Sequence, residues 1–411
     1  MHNLINNKKP LLLVFPHNVM AHYLRCLQIS SYLQLYFQIK FLFSPKFHSF
    51  VAQSGFETFE CEALDAEKVQ KGMISFDFTW LNERDLYRIY EGEVKIIKES
   101  GAAAVLGDMS PALKMAAEKT GVQYFSLING YMSRHYTYVR RIPRSFPLYR
   151  FCNDLPATLS NYFISVGEQI SFHKIHSPFS KIRKHEGLSS KHSYLQELEG
   201  DVNLLCDLPE IFPQKNLPAN YYFIPPLYHR LDNNKKITKT DDNKKTLYVS
   251  MGSTGDWEKV AFLNHVDYNK YNVVTAGDNN HVIFGSNVFS YPFIDSSELF
   301  TIADLVICHG GNGTTYQALS YGIPVLCKTS HCEQEYNADG LERLHLGKSL
   351  DDIDHNEEYS LIIEEWIQKK GNTELSFAKN KIEHANNRFE QIIENILTAN
   401  SAIKITANPN S

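Results

Sequence analysis

Short apolar runs that stop at a small or polar residue, each followed within a few positions by an amphipathic stretch, recur along most of this chain. Segment 102–128 shows the unit most clearly. "AAAVLGD" reads as a buried strand and "SPALKMAAEKTG" as a helix, with Ser110 as N-cap, Pro111 at the first helical position and Gly121 as the stop. "VQYFSLI" is the next strand. "LLLVF" (11–15) opens the same pattern, and the helix after it carries Met20, Tyr23, Leu24 and Leu27 on one face. "IKFLF" and "FETFEC" are further strands, and "NERDLYRIYEGEVKIIKES" is a helix stopped by Gly101. Strand, helix, strand in this rhythm demands a parallel sheet covered on both faces.

Residues 227–245, "LYHRLDNNKKITKTDDNKK", interrupt the pattern with a polar, charged run that reads as a linker. After it, "TLYVSMGSTG", "YNVVTAG", "HVIFGS", "ADLVICH" and "IPVLCK" restart the rhythm as strands. The expectation is an α/β protein of two doubly wound domains, 1–226 and 246–385, with a helical tail over 386–411. Open sheets of this kind bind ligands at the carboxyl ends of their strands, so a site in the cleft between the domains follows. A length of 411 residues accommodates two such cores. The net charge of −5 gives no basic field for nucleic acid. Seven cysteines without a Cys-x-x-Cys argue against a zinc site or a disulfide framework, and Cys327 and Cys332 around His331 read as buried thiols. The leading apolar run is too short for a secretory segment, and nothing approaches the ~20 residues of a membrane span. A cytoplasmic protein is expected.

One loop carries the most chemistry. "HGGNGTTYQAL" (309–319) follows a fully buried strand and opens a helix that ends at Gly322 and Pro324. Its glycines let backbone approach a ligand, and the helix N-terminus offers free N–H groups and partial positive charge. His309 adds a donor, which suits a phosphate or diphosphate. The bland alternative is a tight strand-to-helix turn with a packed histidine. Against it, "SMGSTG" (250–255) and "EQEYN" (333–337) follow other strands and converge on the same rim, and Gln317 lies within reach of a ribose.

"HGGNGTTYQAL", "SYGIPVL" and "EQEYNA" together resemble the signature of the UDP-glycosyltransferase superfamily, His-Gly-Gly-x-Gly/Asn-Ser/Thr-x-x-Glu, Gly-x-Pro and Asp/Glu-Gln-x-x-Asn-Ala, most like that of its bacterial macrolide-type members. "YVSMGSTG" is similar to the opening of their C-terminal domain and "YFIPPL" to the stretch before their linker. The resemblance implies a GT-B fold, two Rossmann-like domains with a cleft, the nucleotide sugar on the C-terminal domain and the acceptor on the N-terminal one. It implies that His309, Gly311 and the amides of Asn312, Gly313 and Thr314 hold the diphosphate of a UDP- or dTDP-sugar, with Ser253 nearby. Glu333 and Gln334 take the positions that bond sugar hydroxyls, and Phe293 or Tyr291 that of the aromatic stacked on the base. Gln317 stands where the family usually has Glu on the ribose. A bond to a carboxylate contributes ~1.5–3 kcal/mol and a neutral one ~0.5–1.5, so binding survives the change.

Glycosyl transfer to a hydroxyl needs a base. From the residues alone, His22 is a helix-start histidine facing away from the core, and Asp108 a cap before Pro111. The resemblance assigns His22 as the base, at the usual Gly-His position, and Asp108 as the carboxylate orienting it. The loop before it is two residues longer than usual, which makes His17 the competitor. The implied reaction is an inverting hexosyl transfer with no metal and no cofactor. Two other readings are an epimerase acting on the sugar nucleotide and an auxiliary protein that binds it without catalysis. Segment 131–150 holds Arg134, Arg140, Arg141, Arg144 and Arg150 among aromatics with no acidic residue. It is expected to meet an anionic or lipid-linked acceptor, or the inner face of a membrane as a peripheral contact.

Overall fold

The apolar runs become parallel strands because successive side chains enter two different cores. The computed structural model describes residues 9–228, 241–252, 254–277, 280–291 and 296–400. In the N-terminal sheet lie β1 (Leu11–Pro16), β2 (Gln38–Leu42), β3 (Glu57–Phe59), β4 (Ala104–Asp108), β5 (Gln123–Ile128), β6 (Val202–Leu205) and β7 (Tyr221–Phe223). Their order is β3-β2-β1-β4-β5-β6-β7, parallel throughout. Along β1, Leu12 and Val14 pack with Tyr23 and Leu27 of the helix Met20–Leu33, whereas Leu13 and Phe15 pack with Leu86 and Tyr90 of the helix Glu83–Ser100. The second sheet contains β8 (Thr246–Ser250), β9 (Asn272–Ala276), β10 (Val288–Tyr291), β11 (Leu305–Cys308), β12 (Val325–Cys327) and β13 (Gly347–Ser349). Its order is β10-β9-β8-β11-β12-β13, again parallel throughout.

Each sheet reverses its direction of growth once, between β1 and β4 and between β8 and β11. At those switch points the flanking connections diverge and leave a crevice beyond the strand ends. Pro16 pairs with Asp108 in the first sheet and Ser250 with Cys308 in the second. The end of β4 at Asp108, the helix start that carries His22 and the loop that carries His309 therefore all border these crevices.

Two local readings differ from the structure. "HVIFGS" is not a strand: Asn280–Val282 form a single 3₁₀ turn, Ile283 is buried and Phe284 is exposed. The edge strand is β10, after Gly285 turns the chain at a φ of +155°. Ser110 does not cap the following helix, which starts at Leu113. Its hydroxyl instead donates to the Phe15 carbonyl and ties the end of β4 to β1.

Most of the linker read over 227–245 lies outside the described residues, and Asp241–Lys245 already attach to the second domain through Asn272. The helix Thr373–Asn387 packs on the second domain through Leu375, Ala378 and Ile382. The helix Phe389–Asn400 then returns to the first, where Phe389, Ile393 and Ile396 join the core around Tyr23. Ile211 and Phe212 of the first domain sit in one cluster with Tyr316 and Leu341 of the second, so the domains share apolar contact as well as the cleft.

Candidate active site

β1 ends at Pro16, and the helix after it begins at Met20 with Val19 extended at its cap. His22 and Arg25 lie three residues apart and so share one face, turned toward the end of β4. There His22 Nδ1 is 2.9 Å from Asp108 Oδ1. Arg25 holds the same carboxylate through both oxygens, and its Nη2 lies 3.1 Å from His22 Nδ1. Its other terminal nitrogen donates to Asn129 Oδ1. Asp108 is fully buried, which alone would raise its carboxyl pKa. The Arg25 guanidinium and His22 outweigh that and hold it below the ordinary carboxylate range. His17 contacts His22 edge to face at 5.5 Å between ring centroids, and its Nε2 has no partner. Burial and the neighbouring His22 lower its pKa to about 3. His22, not His17, bonds to the carboxylate.

In the second domain the helix Asn312–Ser320 starts after Gly311, with no side chain capping it. Its first backbone bond runs from Thr315 N to Gly311 O, 3.1 Å. The amides of Asn312, Gly313 and Thr314 precede it and line the cleft. A Cβ at Gly313 would meet nothing within 4 Å, so this turn faces open space. His309 is wedged between the two glycine loops: a Cβ at Gly252 would lie 2.5 Å from its Cε1, and one at Gly311 would clash with its Nε2. Burial and His331 lower the His309 pKa to about 4, so near pH 7 it is a neutral ring with one N–H to donate.

Both halves face one cavity of about 840 Å³. Glu333 and Gln317 line it, and Asn129 Nδ2 donates across the domains to Glu333 Oε1 at 3.3 Å. Gln334 also borders the cavity, but its side chain is occupied. Its Oε1 accepts from the Ser330 amide at 2.7 Å, and its Nε2 is 3.2 Å from Thr254 Oγ1 and 2.8 Å from His331 Nε2. It supports the loop rather than presenting a free amide to a sugar. Ser253 and Phe293 lie outside the described residues. Tyr291 packs against the apolar core of its own domain. The first-domain side of the cavity is apolar, with Phe76, Phe78, Trp80, Met132, Phe146 and Ile175 among its walls.

Four of the five arginines read as a free basic surface instead form intramolecular pairs, Arg134 and Arg141 while still exposed, and Arg150 lies exposed. Arg134 Nε is 2.6 Å from Glu199, and Arg140 is buried against Glu168 and the Tyr131 and Ser133 carbonyls. Arg141 pairs with Asp339 at 2.7 Å and Arg144 with Asp352 at 2.9 Å, both across the domain boundary. Carboxylates distant in sequence pair with four of its five arginines, which a local charge count misses. Sequence reasoning also passed over Arg25, Asn129 and Asp207. Asp207 follows β6 and accepts from Asn312 Nδ2 at 3.1 Å and from the Gly130 amide at 2.6 Å, tying the glycine-loop helix to the first domain. Burial, only partly offset by the Gly130 amide and the Tyr316 hydroxyl, raises its pKa to about 6. A signal for Arg25 was present: an arginine three residues after His22, inside an otherwise apolar helix face.

Two doubly wound domains that face each other across a cleft give the chain a GT-B fold. Residues 231–396 match the Glycosyltransferase family 28 C-terminal domain. The chain is 26% identical over 335 residues to the PGL/p-HBAD biosynthesis glycosyltransferase of Mycobacterium tuberculosis, covering 76% of this chain and 74% of that one. The calicheamicin glycosyltransferase CalG4 superposes with a TM-score of 0.70 at 15% identity, over 97% of this chain and 100% of CalG4. The spinosyn rhamnosyltransferase SpnG, solved with thymidine diphosphate, superposes with a TM-score of 0.65 at 13% identity, over 94% of this chain and 99% of SpnG. The family match and the mycobacterial relatives make the chain a glycosyltransferase, as the sequence resemblance implied, and the solved structures agree with its GT-B fold. Among the described residues no helix is long and apolar enough to cross a membrane, and no group of three or more His, Cys, Asp or Glu could hold a metal ion.

Proposed function

We propose that the protein transfers a hexosyl group from a UDP- or dTDP-sugar to the hydroxyl of an apolar acceptor, with inversion at the anomeric carbon. The observation that carries this reading is the shared cavity: the His22–Asp108 pair borders it from one domain and the uncapped helix after His309 from the other. With Nδ1–H donated to Asp108, His22 presents Nε2 as the base. It takes the acceptor's proton as the hydroxyl oxygen bonds to the anomeric carbon and the carbon–diphosphate bond breaks. His309 and the amides of 312–314 receive the departing diphosphate, where their donors act most strongly as charge develops. One direct displacement gives inversion, and these donors fill the part that a cation would otherwise play. Glu333 and Gln317 bond sugar hydroxyls. Apolar walls on the first domain favour an aromatic or long aliphatic alcohol over a sugar. The nucleotide bound by SpnG supports including dTDP beside UDP.

The test is release of nucleoside diphosphate from UDP-glucose and dTDP-rhamnose, with and without phenolic and long-chain alcohols. Release that needs an apolar alcohol, with an inverted glycoside by NMR, supports the reading. An epimerised sugar nucleotide without release, or binding with no turnover for any pair, overturns it.

A further inference from the structure

The helix Ala157–Glu186 is apolar on opposite faces over its first half. One stripe, including Ile164, Gly167, Ser171, Phe172 and Ile175, lines the acceptor side of the cavity. The other points outward: Leu159, Tyr162, Val166 and Ile170 are all exposed, Tyr162 at 65% and Ile170 at 64%. The short helix Tyr149–Asn153 packs beside it and adds Phe151, 59% exposed, with Leu148 just before. From Leu155 through Gly167 there is no charged side chain. An exposed apolar stripe of this length normally meets protein or lipid, yet this one is bare, while the helix itself is held at its middle by the Arg140–Glu168 pair and at its far end. There His176, Phe179 and Arg183 are buried, and His176 and Arg183 both bond to Glu197.

We infer that this outward stripe, with Leu148 and Phe151, is a docking face for a lipid bilayer, which delivers an apolar acceptor straight into the cavity. The inference rests on the proposed transfer to an apolar alcohol. Leu148, Phe151 and Phe163 carry the argument for bilayer over protein: each lines the cavity and each is more than half exposed, so they form its rim. A second copy of the chain seated there would close the rim. A bilayer is itself the solvent from which an acyl or aryl chain passes between those side chains without crossing water. Charge agrees with this orientation. Exposed Arg150 and Lys174 flank the stripe, and of the two acids between them Glu168 is neutralised by Arg140. Apolar contact therefore dominates, and the arginines at 134–144 take no part.

Co-sedimentation of the full chain with phosphatidylcholine vesicles, at low and high salt, tests the face without any substrate. The variant Leu159→Gln/Tyr162→Gln/Ile170→Gln changes exposed side chains that touch neither the cavity nor the catalytic groups. Wild type is expected to partition onto vesicles at both salt concentrations, and the variant at least tenfold less. The variant should keep normal turnover of a short water-soluble alcohol and lose turnover of a long-chain alcohol embedded in vesicles. Equal partitioning of wild type and variant, or wild type that stays in solution, overturns the inference. So does a wild-type dimer that the variant dissociates, because a second copy then covers the face. Vesicle binding with no glycosyl transfer to any alcohol would leave the docking face standing and overturn the acceptor reading alone.

Discussion

Arg25 grips Asp108 through both carboxylate oxygens, Nε to Oδ2 at 3.0 Å and Nη2 to Oδ1 at 2.5 Å. The same guanidinium lies 3.1 Å from His22 Nδ1, so one side chain fixes both members of the pair. Arg25→Gln leaves Asp108 buried without its guanidinium and should lower kcat while UDP binding stays near normal, with a stability loss of roughly 3–5 kcal/mol followed by urea melts. Arg25→Lys, which keeps the charge but not the fork, should recover part of kcat. Unchanged kcat in a folded Arg25→Gln variant, with only stability reduced, would make Arg25 purely structural.

Loss of the base should be severe and its neighbour's loss redundant with it. His22→Ala is expected to lower kcat by roughly 10²–10⁴-fold. Asp108→Asn should also lower it, and the double variant should be little worse than His22→Ala alone. Because Asp108→Asn leaves Arg25 buried without its counter-charge, it should also lose roughly 3–5 kcal/mol of stability, so its folding is checked by urea melts at the assay temperature. His17→Ala should retain most activity. A dead His17 variant beside an active His22 variant would reverse the assignment.

The His309 imidazole is predicted to make the fold sensitive to acid. The folded ring resists protonation until about pH 4, whereas an unfolded histidine takes up its proton near pH 6.5. Between those values the unfolded state binds more protons, so stability falls as pH drops from 6.5 to 4 and is constant above. The gap corresponds to on the order of 3 kcal/mol. Urea melts of wild type and His309→Gln from pH 4 to 7.5 should show the wild-type advantage shrinking by that amount on acidification. A pH-independent difference between the two would contradict it. At pH 7.5, His309→Gln should also weaken UDP or dTDP binding and lower kcat.

Gly252 should tolerate no side chain. Its φ is +56°, and a Cβ there would sit 2.5 Å from the His309 ring. Gly252→Ala is expected to cost more than ~1 kcal/mol of stability and to displace His309 from the diphosphate site. Calorimetry with UDP should show weakened binding, whereas Gly313→Ala, which faces open space, should bind almost normally unless its methyl meets the ligand itself.

The alternation of buried strands and amphipathic helices was legible in the chain itself, because a parallel strand covered on both faces must be apolar throughout and must end where its polar loop begins. That local rule is enough to mark β1, β4, β5, β8, β11 and β12, and it makes the loop at 309–319 a candidate anion site. It fails where a short apolar run is broken by turn geometry. "HVIFGS" has strand composition, but Ile283 alone turns inward before Gly285 bends the chain.

Pairings between distant segments were decided only by the tertiary structure. Asp108 meets His22 and Arg25 because β1 and β4 are neighbours at the switch point, a relation 83 residues apart for Arg25. The arginines at 134–144 look like a free basic surface until folding brings Glu199, Glu168, Asp339 and Asp352 to them. Asn129 and Glu333, which lie 204 positions apart, meet only because the two domains close on one another. Secondary structure follows from which residues are near in sequence. Charge balance, the base and its partner, and the exposed apolar face of 157–170 follow from which residues are near in space.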